Sequence, residues 1–227
     1  MRNVAIIPAR KGSKRVKGKN RLIIGGQTLL DRTIAAIEES GAIQRSILCT
    51  DDLDLIQAAK KHSLLESDLR PAELSADSTS STDVLRYLIA KMGLEDSRII
   101  LLQLTSPFRT AEDIKTLLQR MVDSGQSSGV SVCRWRMPPS PPFGNTDDIM
   151  KLGDEALLNS NMRSIAHDRT WAINGALYVF EAEKFMQTGQ LYTSNAAIHV
   201  METWRSVDID YNDDVKIAKA LARQYGI

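Results

Sequence analysis

Chemistry in this chain is concentrated in four short stretches, of which the first is the most unusual. In "VAIIPARKGSKRVKGKNRL", Arg10, Lys11, Lys14, Arg15, Lys17, Lys19 and Arg21 share one loop with Gly12 and Gly18, without a carboxylate among them. Gly12 lets backbone N–H groups approach an oxyanion, and Ser13 adds a hydroxyl donor. Arg10, Lys14 and Lys19 offer the charge that favours a triphosphate and its departing pyrophosphate. The spacing is neither that of a Walker A loop nor that of a G-x-G-x-x-G turn. A solvated basic loop has the same composition, so the loop by itself decides nothing.

In "SVDIDYNDD", strand alternation sends Val207, Ile209 and Tyr211 to one face and places Asp208 and Asp210 together on the other. Paired carboxylates repel unless a cation lies between them, and Mg²⁺ is typically shared between carboxylates and substrate phosphates. The pattern fits a nucleotide-bound Mg²⁺, and equally an exposed strand face with charge-paired ends. Asp213 and Asp214 fall in the first turn of a following helix and need no metal. In "LLQLTSPFRT", Gln103 suits a polyol and Arg109 an anion, while a turn capping the next helix explains the same residues. "TDD", Thr50 to Asp52, reads as a helix N-cap with no catalytic role. His62, His167 and His199 stand alone, and neither G-x-S-x-G nor H-E-x-x-H occurs, which removes the basis for a hydrolase or zinc-protease reading.

Residues so scattered need a scaffold that gathers them, and the order of elements supplies one. Continuous apolar runs ("VAIIP", "SILCT", "RIILLQL", "GVSVC") alternate with helix-period segments ("TLLDRTIAAIEES", "LDLIQAAKKH", "AEDIKTLLQRMV"). That alternation predicts an α/β fold, Rossmann-like and doubly wound, with a mainly parallel sheet buried on both faces. Ligands bind beyond the carboxyl ends of such strands, where the four stretches fall. Thr110 with Glu112 and Asp113 starts one helix, and the last begins near Asn212. "INGALYVF" and "AIHVM" return to strand, so the sheet is expected to end in a mixed or antiparallel part. Between them and "GVSVC", at about 134–172, lies a segment with four of the seven prolines, read as an insertion into the domain.

Composition narrows the function further. At 227 residues and 43% hydrophobic content the chain suits one large domain, 1–227. Lys and Arg number 29 against 28 for Asp and Glu, which argues against a globally basic nucleic-acid binder and makes any anion site local. Cys49 and Cys133, far apart beside apolar runs, suit buried thiols of a reducing compartment rather than a disulfide or zinc frame. "NVAIIP" is too short for a signal peptide and no run reaches a membrane span, so the expected location is the cytoplasm, with no membrane partner.

Five stretches, "IIPARKGSKRVKGKN", "LRPAELSADSTSS", "LLQLTSPFRT", "INGALYVF" and "SVDID", together resemble the CMP-sialic acid synthetases, the acylneuraminate cytidylyltransferase family, in order and spacing along nearly the whole chain. The resemblance implies a nucleotide-diphospho-sugar transferase type of fold. It implies a nucleotidyltransferase that moves CMP from CTP to the anomeric hydroxyl of a nonulosonic acid and releases pyrophosphate. Ala9, Arg10, Ser13, Lys19, Asn20, Arg70 and Ser81 then match the CTP side, with Lys14 and Lys19 near the phosphates. Gln103, Thr105 and Ser106 match the sugar side, as do Asn174 and Tyr178. Asp208 and Asp210 match carboxylates that hold Mg²⁺, for which Mn²⁺ could substitute. Arg10, Lys14, Lys19, Asp208 and Asp210 become the catalytic set, whereas Lys11, Arg15 and Lys17 become solvated neighbours. The insertion is implied to be a dimerisation arm, giving a homodimer.

The chain departs from the N-acetylneuraminate pattern at "MRSIAHDRTWAING", where Arg163 stands in place of an Arg-Gln pair. That leaves the acceptor open among sialic acids, legionaminate, pseudaminate, Kdo or a phosphonate. A nucleotide-binding module without turnover is the rival from another class, and Asp208, Asp210, Arg10 and Lys19 argue against it. An RNA-binding reading lacks aromatic platforms.

Overall fold

The computed structural model describes residues 1–76, 78–134, 143–146, 149–152 and 171–227. Its first strand, β1 (Arg2–Pro8), explains the unbroken apolar run "VAII". Val4 and Ile6 point into one core layer while Ala5 and Ile7 point into the other, all four fully buried. A strand covered on both faces has no polar side, and each buried Ile contributes about 1.5–3 kcal/mol.

Two short strands, β2 (Ile23–Ile24) and β3 (Gln27–Thr28), form a hairpin that leads into α1 (Leu29–Ser40). The chain continues through β4 (Arg45–Thr50), α2 (Leu53–Ala59), β5 (Leu65–Leu69), α3 (Ser81–Met92), β6 (Ser97–Leu101), α4 (Ala111–Ser124) and β7 (Ser128–Arg134). Within the insertion, β8 (Phe143–Thr146) and β9 (Ile149–Leu152) pair as an antiparallel ribbon. The chain closes with β10 (Trp171–Glu181), α5 (Ala182–Thr188), β11 (Ala197–Val200) and α6 (Asn212–Tyr225). One core layer is built on α1, α2, α4 and α6, and the other on α3 and α5.

The seven-stranded sheet has the order β11-β7-β10-β6-β1-β4-β5, in which only β10 runs antiparallel to its neighbours. The mainly parallel, doubly wound expectation holds. The end of the sheet is mixed as expected, with β10 antiparallel between β6 and β7 and β11 parallel to β7 at the edge. Strand order reverses at β1, whose neighbours β4 and β6 lead the chain in opposite directions, so the cleft forms there. Sequence alternation left two elements out: β5, whose "LESDL" has a charged outer side, and α3.

Signals at helix starts behaved as local physics requires. Asp52 caps α2 by accepting from Asp54 N at 3.1 Å. Asp113 returns a carboxylate to Thr110 N at 2.8 Å at the head of α4, and Asp214 accepts from Tyr211 N at 2.7 Å at the head of α6. Among the described residues no helix is long and apolar enough to cross a membrane.

Candidate active site

The basic loop leaves β1 and is fastened at several points to the end of β4 and the turn that follows it. Ala9 N donates to Cys49 O at 3.0 Å, the Thr50 hydroxyl donates to Ala9 O, and Lys11 N donates to Asp51 Oδ1 at 2.6 Å. Asn20 closes the loop by donating to Arg10 O at 2.9 Å. Val16, the loop's one apolar side chain between Arg10 and Arg21, is buried. Arg21 pairs with Asp52 at 2.8 Å. "TDD" is therefore a cap that also anchors the loop.

This anchoring frames a cleft of about 560 Å³ beyond the carboxyl ends of β1, β5 and β6. Ala9, Arg10, Ser13, Lys14, Lys19, Asn20, Arg70, Ser81, Gln103, Thr105, Asp208 and Asp210 all line it, so most of the residues expected at the site converge. Arg15, expected to be a bystander, lines it too, as do Thr79 and Ser80 at the start of α3, which the sequence reading passed over. Arg70 is buried, donates to Cys49 O at 3.1 Å and leaves Nε without a protein partner.

A second cleft of about 420 Å³ adjoins the first, sharing Gln103 and Asp208 with it. Asn174, Gly175, Tyr178, Ser206 and Cys133 contribute to its wall. Register shifts in β10 between Ile173 and Tyr178, and Gly175 there has φ +75°. That left-handed turn is why "NG" interrupts the strand. Asn174 is engaged within the protein: Oδ1 accepts from Ser131 Oγ at 2.6 Å, and Nδ2 donates to Ser206 Oγ at 2.8 Å. It shapes the cleft by fixing the bulge. Tyr178 stacks near Tyr192, with ring centroids 6.3 Å apart, and burial raises its phenol above the ordinary range. Of the two thiols, both free, Cys49 is buried and Cys133 is half-buried facing this cleft.

Three sequence-level assignments change. Ser106 is buried, with an unpartnered Oγ, and lines neither cleft. Arg109 lines neither cleft: it donates to Ala176 O at 2.7 Å and to Thr33 Oγ1 at 3.0 Å. Its burial lowers its pKa to about 10, with Asp113 opposing. Asp208 and Asp210 lie on an extended segment outside any strand, yet the alternation persists, with Ile209 in the core and both carboxylates on the cleft. Tyr211 does not follow Ile209 inward but is exposed. Arg163 and His167, and most of the insertion at 134–172, lie outside the described residues.

The carboxylate segment is tethered before and after. Ile209 N donates to Thr105 O at 2.9 Å, and Asp210 N to Asp214 Oδ2 at 2.9 Å. Arg205 reaches Asp113 at 2.9 Å, and Trp204 stacks on Tyr225 with centroids 3.8 Å apart. Burial raises the Asp208 carboxyl above the ordinary range; the Thr105 hydrogen bond opposes this and the Asp210 charge adds to it. Asp208 Oδ1 is buried without a partner. Asp210 has both oxygens engaged, Oδ1 by Lys19 at 2.7 Å and Oδ2 by Arg15 at 3.3 Å, and the Lys19 bond holds its pKa low. An orphaned carboxylate oxygen beside a second carboxylate is a hard-oxygen donor set that suits a divalent cation such as Mg²⁺.

A family model described as "Cytidylyltransferase" matches residues 4–225. The chain belongs to the cytidylyltransferase family. Among its similar relatives, the N-acylneuraminate cytidylyltransferase of Streptococcus agalactiae serotype V is 27% identical over 215 residues, covering 94% of this chain and 52% of that protein. The CMP-N,N'-diacetyllegionaminic acid synthase of Legionella pneumophila is 27% identical over 97% of this chain and 96% of its own length. The chain thus spans about half the length of the streptococcal relative and nearly all of the Legionella one. The pseudaminic acid cytidylyltransferase of Campylobacter jejuni serotype O:2 is 25% identical over 97% of this chain and 96% of its own. A solved CMP:2-keto-3-deoxy-manno-octonic acid synthetase shares the fold at TM-score 0.71 and 20% identity, covering 99% of this chain and 100% of that one.

Proposed function

We propose that this cytidylyltransferase transfers CMP from CTP to the anomeric hydroxyl of a nonulosonic acid. The observation that carries the reading is the junction of the two clefts at Gln103 and Asp208. On one side lies a cation-rich cleft of the size and charge a nucleoside triphosphate needs; on the other lies a polar cleft, lined by amide and hydroxyl groups beside Asp208, suited to a hydroxylated acceptor. Transfer between two bound substrates requires such a shared wall.

In this reading Arg10, Ser13, Lys14 and Lys19 take the triphosphate and neutralise charge that grows on departing pyrophosphate. Arg70 and backbone carbonyls of the loop face the base and read its hydrogen-bonding edge. Gln103, fixed beside Gly175, orients the acceptor, and the bulge held by Asn174 sets the depth of its cleft. Asp208 and Asp210 would hold Mg²⁺, which would supply Lewis-acid charge stabilisation to the transfer. In-line attack forms the new oxygen–phosphorus bond and breaks the one to pyrophosphate, with no protein nucleophile. Arg163 is assigned to the sugar side, the segment 134–172 to a homodimer contact, and the protein's place of work to the cytoplasm.

The test is pyrophosphate release with CTP and Mg²⁺ across N-acetylneuraminate, legionaminate, pseudaminate and Kdo. One acid is expected to support rapid release with CTP and far slower release with UTP. Equal rates with UTP, or no release with any acid, overturn the reading.

A further inference from the structure

The contact between the basic loop and Asp210 assigns a role to a residue that the sequence reading set aside. Arg15 lines the nucleotide cleft, and its Nη1 lies 3.3 Å from Asp210 Oδ2. Its guanidinium also sits over the Tyr211 ring, 5.1 Å from the centroid, an arrangement that holds the side chain toward the cleft mouth. Lys19 occupies the other oxygen of the same carboxylate at 2.7 Å. Both donor oxygens of Asp210 are thereby held by cations, whereas its neighbour Asp208 keeps an oxygen without any partner. A divalent cation entering between the two finds one carboxylate ready and the other engaged.

We propose that Arg15 is a triphosphate-binding residue whose resting partner is Asp210, and that with Lys19 it makes cation binding at Asp208 and Asp210 conditional on the nucleotide. This rests on the cytidylyltransferase reading above. Five cationic side chains, Arg10, Lys14, Arg15, Lys19 and Arg70, line the cleft with the two carboxylates, so a polyanion has a strong claim on the loop. The Arg15 side chain is 58% exposed and that of Lys19 16%. The Arg15 contact is the weaker of the two and opens first, since an exposed pair is strongly screened. When phosphate oxygens draw both cations away, Asp210 becomes available as a ligand. Because linkage is reciprocal, a cation at the carboxylates must favour the nucleotide by the same factor. The arrangement also keeps the carboxylates from collecting a divalent ion before a substrate is present.

The test measures Mn²⁺ binding by electron paramagnetic resonance, without nucleotide, for the wild type, Arg15→Gln and Lys17→Gln. Lys17 belongs to the same loop but does not line the cleft, so its variant controls for net charge. Arg15→Gln is expected to raise nucleotide-free Mn²⁺ affinity about threefold over the Lys17→Gln control, the scale of an exposed ion pair. It is also expected to weaken binding of CTP severalfold while leaving that of CMP unchanged. Equal Mn²⁺ affinities in the two variants overturn the proposal, as does equal weakening of CTP and CMP. Wild-type pyrophosphate release, measured separately on the acid panel, reports on the underlying function: failure there with the Mn²⁺ difference intact removes the reaction and not the lock.

Discussion

Asp113 and Asp208 are both drawn at least partly out of water, and their surroundings differ in a way that separates support from chemistry. Asp113, at the head of α4, is almost fully buried and has its oxygens filled: His199 Nε2 at 2.8 Å, Arg205 Nη2 at 2.9 Å and Thr110 N at 2.8 Å. Burial pushes its carboxyl up, but the hydrogen bonds from His199 and Arg205 outweigh it and hold the pKa well below the ordinary range. Asp208 is half-buried, has one oxygen without a partner and a pKa raised by that burial. A buried polar group left unsatisfied costs stability, and Asp208 bears that cost where the two clefts meet.

The contrast breaks most sharply by removal of the carboxylates on the cleft. Asp210→Ala and Asp208→Ala are each expected to lower turnover of CTP by at least about 100-fold while the circular dichroism spectrum and melting cooperativity stay as in the wild type. Near-normal rates would place the chemistry elsewhere. Asp113→Asn should act in the opposite sense, costing about 2 kcal/mol of stability in a denaturant titration at neutral pH, because it sets His199 and Arg205 against a neutral amide and leaves Arg205 only Glu202 as a carboxylate partner. Its depressed pKa sets the pH window. The stabilisation is complete above the ordinary value of 3.8 and is lost as pH falls through the lower folded value, so the gap between wild type and variant should close in acid.

Asp208→Asn sharpens the same comparison with a smaller effect. Removing a buried, unsatisfied charge should raise stability by about 1 kcal/mol even as turnover disappears. A loss of stability in that variant would mean that Asp208 is a structural group like Asp113. The mildest change is Gly175→Ala. An added Cβ would stand 3.4 Å from Gln103 Oε1 without a hard clash, so the cost is the left-handed φ of +75°, about 1 kcal/mol.

Much of this was legible in the sequence because local rules carry it. The unbroken run "VAII" identifies a strand buried on both sides, and Asp52, Thr110 and Asn212 mark helix starts where capping physics puts them. The alternation in "SVDID" places Asp208 and Asp210 side by side even though no strand forms, since an extended backbone alternates with or without a neighbour. What the sequence hid depends on contacts between distant segments. Arg15 looked like any solvated cation until Asp210, 195 positions away, was seen against it. Arg109 looked like an anion ligand beside the TSP turn, but the carbonyl of Ala176 and the hydroxyl of Thr33 take it into the core. Asn174 matched a sugar-contacting position, yet its amide staples a β-bulge whose existence depends on the pairing of β10 with β7. Cys133 gave no signal because its relevance comes only from the wall it shares.

The central claim, attack on the α-phosphorus of CTP across the shared wall, is tested most directly by ³¹P nuclear magnetic resonance of a reaction containing CTP, Mg²⁺ and the acid that supports turnover. The account predicts equal amounts of pyrophosphate and of a single new phosphodiester resonance from a CMP-sugar. Formation of CDP with a sugar phosphate, or of CMP without a phosphodiester, would contradict it.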